Sequence, residues 1–389
     1  MTDLLLGLDV GTTAVKAAVF DGDGDELATG RAPTPWRTVP TGAEVDADAL
    51  LAAAVAAARE AVAAAGGRIV AIGVASVAET GVLLDRDGRP VVPGIAWHDA
   101  RGEEQARRLA EDLPDFSARV GLPASPLCSL AKYRWLRENV PASERGVRWL
   151  NVAEWIVAGL GGQAVSELSL SSRTGFFDLH AKRPYADALD WAEAPAGLVG
   201  DVVPAGTPMG TATLPEAKGA ILTVGGHDHL SAAVGAGAAG DGDVLNSCGT
   251  AEAFVRASAP LPADRVAQAV STDVTVGWHA AEGRQCLLGA QWSGAWLRDV
   301  LARLGIEPDD RAPIEDAALA LERAGPPART LTGIGDVDAL DGLSPAAAYH
   351  AALDAVGRGG AEILERMAAV AAPAKRLVVT GGWAAGPAA

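Results

Sequence analysis

Two segments of this 389-residue chain combine an apolar strand pattern with a glycine turn and a polar residue at the strand end. The first is residues 4–9 followed by Gly11-Thr12-Thr13, and the second is residues 222–226 followed by Asp228. Such a unit presents backbone N–H groups and a carboxylate together at one edge of a sheet. Its repetition in both halves predicts an α/β fold of two related domains with a cleft between them, which we place at residues 1–221 and 222–389.

The residues around these units predict the remaining architecture. Residues 4–9, 15–21 and 26–29 are separated by glycine turns, which predicts an antiparallel three-stranded meander. We expect residues 81–85 to pair with residues 90–95 across an Arg86-Asp87-Gly88-Arg89 turn. Helices are predicted at residues 48–65, 103–112, 129–139, 152–159, 291–304 and 345–370, and further strands at 69–76, 243–247 and 377–380.

Composition excludes several classes of partner. The formal net charge of −17 repels nucleic acid and anionic lipid. The three cysteines are scattered and form no CxxC pair, which favours a reducing compartment. The longest alanine-rich stretch is interrupted by Asp48, Arg59 and Glu60, so no membrane span is expected. We therefore predict a soluble cytoplasmic protein.

The first glycine turn has two interpretations. Asp9 ends the strand, and Gly11, Thr12 and Thr13 follow it, with Lys16 nearby. Phosphate oxygens need close backbone donors, and a carboxylate beside them commonly holds Mg²⁺. Alternatively, the aspartate and threonines cap the turn of an ordinary hairpin. The local spacing leaves both interpretations open.

The second turn carries His227-Asp228-His229 at a predicted strand-to-helix junction. A carboxylate held there can accept the proton of an attacking hydroxyl group. The alternatives are an N-cap aspartate and a metal site that uses the two histidines.

Two further strand ends carry glycine turns, at Cys248-Gly249-Thr250 and at Gly381-Gly382-Trp383. Residues 235–240 fit the pattern GxGxxG, but they follow a helix-like segment, which argues against a dinucleotide fingerprint. The Walker A pattern is absent from the sequence.

In this order, the segments resemble the FGGY carbohydrate kinases over almost the whole chain. The motifs that carry the resemblance are Asp9-Val10-Gly11-Thr12-Thr13 with Lys16, Trp97-His98-Asp99-Ala100-Arg101, the helix with Lys132 and Trp135, Gly226-His227-Asp228, Gly249-Thr250 and Thr380-Gly381-Gly382. The resemblance implies two ribonuclease-H-like (actin-like ATPase) domains and the transfer of a phosphoryl group from ATP, with Mg²⁺, to a sugar or polyol.

The resemblance also implies a role for each motif. Asp228 is expected to be the catalytic base and a substrate contact, and Asp9 to position the metal. The substrate-binding residues are expected to be Glu79, Thr80, Trp97, Asp99 and Arg101. The nucleotide-binding residues are expected to be Gly11, Thr12, Thr13, Lys16, Gly249, Thr250, Gly381 and Gly382.

The acceptor is not fixed by the resemblance. Glycerol kinases carry Arg-Glu-Thr in the loop where this chain has Ala78-Glu79-Thr80, and a tyrosine where it has Leu127. Xylulose kinases carry Met-His in that loop. These differences favour another ketose, aldose or polyol.

The sequence also departs from the family at residues 329–342, which are short and lack a Gly-Glu-Arg-type motif. Because it stops one turn after the last predicted strand, we expect a truncated form. The alternative function is a catalytically silent regulator that binds a sugar or nucleotide on the same fold. The oligomeric state, a homodimer included, is left open.

Overall fold

A computed structural model describes residues 2–385 of the chain. These residues divide into two compact units. Unit 1 contains the chain up to Ala232 together with Pro262–Val270 and Val276–Arg284, and unit 2 contains Ala233–Leu261, Ser271–Thr275 and the chain from Gln285 onward. The domain boundary that we placed after residue 221 stays a prediction.

The helices and strands of the described residues follow in chain order. The α-helices are α1 Ala47–Ala65, α2 Glu103–Asp112, α3 Phe116–Val120, α4 Ser129–Asn139, α5 Val152–Gly159, α6 Leu168–Ser171, α7 Ala186–Trp191, α8 Asp228–Gly235, α9 Ala263–Val270, α10 Ser293–Arg303, α11 Ala312–Ala324 and α12 Pro345–Val370. The strands are β1 Asp3–Val10, β2 Ala14–Phe20, β3 Glu26–Pro33, β4 Trp36–Val39, β5 Gly42–Val45, β6 Arg68–Ser76, β7 Gly81–Leu84, β8 Gly94–Ile95, β9 Arg148–Asn151, β10 Ser166–Glu167, β11 Phe177–Asp178, β12 Arg183–Pro184, β13 Val202–Val203, β14 Ile221–His227, β15 Asp243–Cys248, β16 Glu252–Ser258, β17 Thr275–Trp278, β18 Gln285–Gln291 and β19 Arg376–Thr380.

The main sheet of unit 1 has the strand order β14-β6-β1-β2-β3. The meander β1-β2-β3 is antiparallel, as predicted, whereas β6 and β14 run parallel to β1. The carboxyl ends of β1, β6 and β14 therefore meet at one edge of the sheet. The side chains of these three strands alternate between buried and more exposed positions. A single strand register therefore places their apolar side chains in the core.

Helix α1 packs on β2 and β3 through an alanine-rich face. Asp46 caps its start by accepting a hydrogen bond from the backbone N–H of Ala49 at 2.8 Å, and Gly66 ends it with a φ of +60°. The small side chains let the helix backbone approach the sheet closely at Gly30, where a Cβ atom would lie 2.2 Å from the carbonyl oxygen of Ala57.

The predicted pairing of residues 81–85 with residues 90–95 forms only next to the turn, and the rest of the predicted ladder is wrong. The turn itself forms, since the Asp85 N–H donates to the Arg89 carbonyl at 2.9 Å. Beyond it there is a single bridge, between Leu84 and Pro90, and β7 pairs with β9 while β8 pairs with β5. Proline has no N–H to donate to a ladder, and Pro90 and Pro93 both fall in the second arm.

The sheet of unit 2 contains β18, β16, β15 and β19 in that order. Strand β16 is antiparallel to both β15 and β18, and β19 is parallel to β15. Helix α12 has the predicted bounds, but α10 begins at Ser293 because β18 continues to Gln291. Between residues 2 and 385, no helix is both long and apolar enough to cross a bilayer.

We predict that Gly30→Ala lowers the free energy of unfolding by about 1–3 kcal/mol, because the added methyl group overlaps the backbone of α1. Gly73→Ala is the matched control, since Gly73 also lies within a strand of the same sheet and a Cβ atom there meets nothing within 4 Å. Urea unfolding of both variants measures the difference. Equal stability of the two variants would contradict the close packing of α1 on β3.

Candidate active site

Three polar residues lie at the carboxyl ends of the parallel strands of unit 1. Asp9 is near the end of β1, Glu79 follows β6, and Asp228 follows β14. In the strand register, Asp9 and Gly226 both lie opposite Ala75 on the intervening strand β6. The sheet thus brings together Asp9, Glu79 and Asp228, which are distant in the sequence.

Asp9 has the features of a metal-binding carboxylate. Lys16 approaches its Oδ2 atom at 3.4 Å, whereas its Oδ1 atom is buried without a hydrogen-bond partner among the described residues. Burial and the nearby charge of Asp228 raise its pKa, against the opposing influence of Lys16. An unpartnered carboxylate oxygen beside a second carboxylate fits a cation, and Mg²⁺ commonly takes only one or two protein carboxylates.

The turn after β1 is anchored through its carbonyl groups. The Thr34 hydroxyl donates to the Gly11 carbonyl at 2.7 Å, and the Trp36 indole donates to the Thr12 carbonyl at 2.7 Å. The Trp97 indole donates to the Thr12 hydroxyl oxygen at 3.0 Å. These oxygen atoms of the turn are thus hydrogen-bonded. The backbone N–H groups of Thr12 and Thr13, in contrast, have no acceptor among residues 2–385. A turn with unused donors suits an anion.

Asp99 and Arg101, which we predicted to bind substrate, form a buried ion pair. The Arg101 guanidinium donates to both carboxylate oxygens of Asp99 at 2.9 Å and to Glu44 at 3.0 Å. Asp99 also accepts the Ala43 N–H at 2.9 Å, and these bonds hold its pKa below the usual value although burial opposes this. The pair ties the Trp97 segment to β5, and its contact with substrate stays a prediction.

Lys132 supports the same segment from α4. Its ammonium group donates to the carbonyl groups of Trp97 at 2.7 Å and of Pro126 at 2.6 Å. Burial lowers its pKa to about 8, despite the favourable charge of Glu79. Sequence reasoning noted Lys132 only through the family resemblance and did not anticipate this bracing role.

Glu79 and Thr80 occupy the loop after β6. Glu79 has a φ of +60°, and its Oε1 atom accepts a hydrogen bond from Nε of Arg173 at 2.7 Å and forms an ion pair with Nη2 of the same guanidinium at 2.7 Å. Thr80 is fully buried, and its hydroxyl group has no partner among the described residues. Sequence reasoning missed Arg173, because no local motif marks it and its partner lies 94 residues away. The roles of Glu79 and Thr80 as substrate contacts stay predictions.

Asp228 is the first residue of α8 and follows a bulge in β14. The register shifts between Val224 and Gly226, and Gly226 has a φ of +106°. The Oδ1 atom of Asp228 accepts the His229 N–H at 2.7 Å and lies 3.0 Å from Nε2 of His227. Burial opposes ionisation, but the charges and hydrogen bonds of His229 and His227 outweigh it and lower the pKa of Asp228 to about 2. Asp228 is therefore ionised at neutral pH.

A buried polar layer lies behind His227. The Ser169 hydroxyl accepts the His227 N–H at 3.1 Å and donates to Glu167 at 2.7 Å. The Glu167 N–H donates to Glu154 at 2.7 Å, whose carboxylate also accepts the side-chain amide of Asn151 at 2.9 Å. Burial raises the pKa of Glu154 to about 7 and also raises that of Glu167. Every one of these carboxylate oxygens accepts hydrogen bonds, which fixes the backbone before Asp228.

In unit 2, the two predicted nucleotide turns follow adjacent parallel strands. Ser247 lies opposite Thr380 in the register of β15 and β19, so Gly249 and Gly381 follow neighbouring strand ends. Gly381 has a φ of +102°, and a Cβ atom there would lie 2.4 Å from the Cys248 carbonyl oxygen. A side chain at position 381 would therefore separate the two turns.

Two residues outside these turns contact them, Ala295 and Arg311. The Thr250 carbonyl accepts the Ala295 N–H at 2.9 Å. The Arg311 guanidinium donates to the Gly382 carbonyl at 3.0 Å and stacks 5.0 Å above the Trp383 ring. The predicted roles of Gly249, Thr250, Gly381 and Gly382 in nucleotide binding stay predictions.

The sequence of the chain is similar to those of known carbohydrate kinases. The N-terminal domain of the FGGY family of carbohydrate kinases matches residues 4–235. A glycerol kinase from Bordetella parapertussis is 30% identical over 98% of this chain and 81% of its own length. A glycerol kinase from an Acidovorax species is 29% identical over 97% of this chain and 82% of its own.

Solved structures share the fold. The xylulose kinase from Rhodospirillum rubrum has a TM-score of 0.83 at 24% sequence identity, over 98% of this chain and 82% of its own. The Plasmodium falciparum glycerol kinase with ADP has a TM-score of 0.83 at 16% identity, over 98% and 82%. They confirm the predicted α/β fold class with its ribonuclease-H-like, actin-like domains. The match of the family over residues 4–235 shows that the chain belongs to the FGGY family of carbohydrate kinases.

Proposed function

We propose that this chain transfers the γ-phosphoryl group of ATP to a hydroxyl group of a small sugar or polyol, with Asp228 as the general base. The observation that carries the proposal is the convergence of Asp9, Glu79 and Asp228 at the ends of three adjacent parallel strands. Phosphoryl transfer depends on alignment and charge neutralisation more than on covalent chemistry by the protein.

Asp228 suits the role of base by its protonation state. Its carboxylate is ionised at neutral pH, and one oxygen already accepts two hydrogen bonds. The other oxygen takes the proton of the acceptor hydroxyl group as the O–P bond forms and ADP leaves. Because the carboxylate has a low pKa, it accepts this proton late, when the attacking oxygen has become acidic.

Asp9 and the anchored turn suit the phosphate groups. The unpartnered Oδ1 atom of Asp9 would hold Mg²⁺, which supplies positive charge to the phosphate oxygens when bound. The unused N–H groups of Thr12 and Thr13 and the ammonium group of Lys16 provide further positive charge for phosphate. In unit 2, we assign Gly249, Thr250, Gly381 and Gly382 to nucleotide binding.

Glu79 is our candidate for recognising the acceptor. Arg173 donates a hydrogen bond to its Oε1 atom and forms an ion pair with that atom, which orients the carboxylate and leaves the Oε2 atom for a hydroxyl group. Ala78, the buried residue before Glu79, has no charged side chain. The guanidinium group that pairs with Glu79 belongs to Arg173, which lies in a different part of the chain. This arrangement fits a neutral polyhydroxy acceptor, and we propose a ketose, aldose or polyol other than glycerol. Retention of Asp228 and Asp9 favours an enzyme over a silent regulator.

We predict that Asp228→Asn lowers kcat by ~10²–10⁴-fold, because the amide cannot accept the hydroxyl proton. Its affinity for the acceptor, measured by isothermal titration calorimetry, stays close to that of the unaltered protein. ADP release is followed with Mg·ATP and a panel of pentoses, hexoses, ketoses and polyols. Asp23→Asn, in an exposed turn of the same unit, is the control. Turnover by Asp228→Asn at the unaltered rate would remove Asp228 as the base.

We predict that Asp9→Asn raises the Mg²⁺ concentration needed for half-maximal ADP binding by about 10–100-fold. Calorimetric titration of ADP at several Mg²⁺ concentrations measures this without turnover. Asp3→Asn, on the same strand but paired with Arg68 at the surface, is the matched control and is expected to leave the Mg²⁺ requirement unchanged. The same requirement in both variants would count against Asp9 as the metal ligand.

A further inference from the structure

The two carboxylate oxygens of Asp228 have different surroundings. The Oδ1 atom accepts the His229 N–H at 2.7 Å and lies 3.0 Å from Nε2 of His227. The Oδ2 atom accepts no hydrogen bond from residues 2–385. Rotation about the terminal torsion of an aspartate is nearly unrestricted without such bonds, because its wells are broad and twofold. Hydrogen bonds therefore fix Oδ1 of Asp228, whereas Oδ2 remains available.

His227 is held as firmly as the carboxylate that it faces. His227 is 5% exposed, and its backbone N–H donates to the hydroxyl oxygen of Ser169. The Ser169 hydroxyl group in turn donates to the Glu167 carboxylate. The bulge at Gly226 sets its direction, and a Cβ atom at Gly226 would lie 2.6 Å from the Ser169 hydroxyl oxygen. The His227 ring also packs edge-on against His229, with the ring centroids 5.4 Å apart.

The proton on His227 follows from its neighbours. A carboxylate only accepts hydrogen bonds, so the Nε2 atom beside Asp228 must carry the proton. The Nδ1 atom is buried and has no partner among the described residues, so Nε2 is the ring nitrogen that makes a hydrogen bond. His227 thus donates a hydrogen bond through Nε2 to Oδ1 of Asp228.

We propose that His227 is a positioning residue, whose Nε2–H group fixes Oδ1 of Asp228 and thereby presents Oδ2 to the acceptor hydroxyl group. The inference rests on the proposed function, because it assigns Asp228 to the base. In the reaction, the hydroxyl proton passes to Oδ2, the acceptor oxygen bonds to the γ-phosphorus, and the bond from that phosphorus to the ADP oxygen breaks. His227 keeps its proton throughout.

The test compares three variants by steady-state kinetics with Mg·ATP and the acceptor that the unaltered protein uses. His227→Phe keeps a ring but loses the donor, and we expect kcat to fall about 10–100-fold while both KM values change less than about twofold. His227→Gln restores an N–H donor within reach of Asp228, and we expect kcat within about fivefold of the unaltered protein. His279→Phe is the matched control, since His279 is another buried histidine of unit 1 whose ring, within residues 2–385, accepts a hydrogen bond only from the Ala281 N–H.

The split between kcat and KM separates positioning from general damage to the fold. If His227→Phe does not fold, His227→Gln is compared with His227→Asn, whose amide is one methylene group shorter, and the proposal requires the glutamine variant to be faster. An unchanged kcat in His227→Phe, or equal losses in His227→Phe and His279→Phe, would overturn the inference. The proposed function fails separately, if Asp228→Asn retains the full rate or the unaltered protein phosphorylates no acceptor, and the inference then falls with it.

Discussion

The parallel pairing of β1, β6 and β14 is the constraint on which the candidate site depends. Each strand ends at the same edge of the sheet, so Asp9, Glu79 and Asp228 meet there although the first and last are more than half the chain apart. The arrangement has an electrostatic cost, because Asp228 raises the pKa of Asp9. Lys16 offsets part of that cost, and a cation bound between two such carboxylates would offset more.

Asp9 and Asp228 lie in different environments, which offsets this electrostatic cost. Histidine donors keep Asp228 ionised, whereas Asp9 keeps one buried oxygen without a partner. Such a difference between neighbouring carboxylates is a common mark of functional sites, where each group has a separate task. In a purely structural pair, every carboxylate oxygen would be hydrogen-bonded, as both oxygens of Asp99 are by Arg101.

Hydrogen-bonded layers behind the site convert the sheet edge into a rigid frame. Glu154, Glu167 and Ser169 are completely buried, and each accepts or donates bonds that lead toward His227. On the other side, the indoles of Trp36 and Trp97 hold Thr12. Buried polar groups are costly unless they are fully bonded, so their placement beside the candidate site favours precise geometry over maximum stability.

Local patterns in the sequence predicted the parts of the fold that depend on local chemistry. The meander, helix α1 and the strand-to-helix junction at Asp228 follow from turn glycines, capping residues and hydrophobic periodicity. Pairing between distant segments was less accessible, and the pairing of β7 with β9 was therefore not predicted. Arg173 and the bulge at Gly226 were missed for the same reason, because each is defined by a partner on another element.

Asp228 and its neighbours are proposed to serve the transfer of a phosphoryl group to a sugar or polyol. The most direct measurement is ³¹P NMR of mixtures that contain the unaltered protein, Mg·ATP and one candidate acceptor at a time. With at least one acceptor, we expect the γ-phosphate signal of ATP to be replaced by that of a phosphate monoester as ADP forms. Loss of ATP to inorganic phosphate alone, or no consumption of ATP with any acceptor, would contradict it.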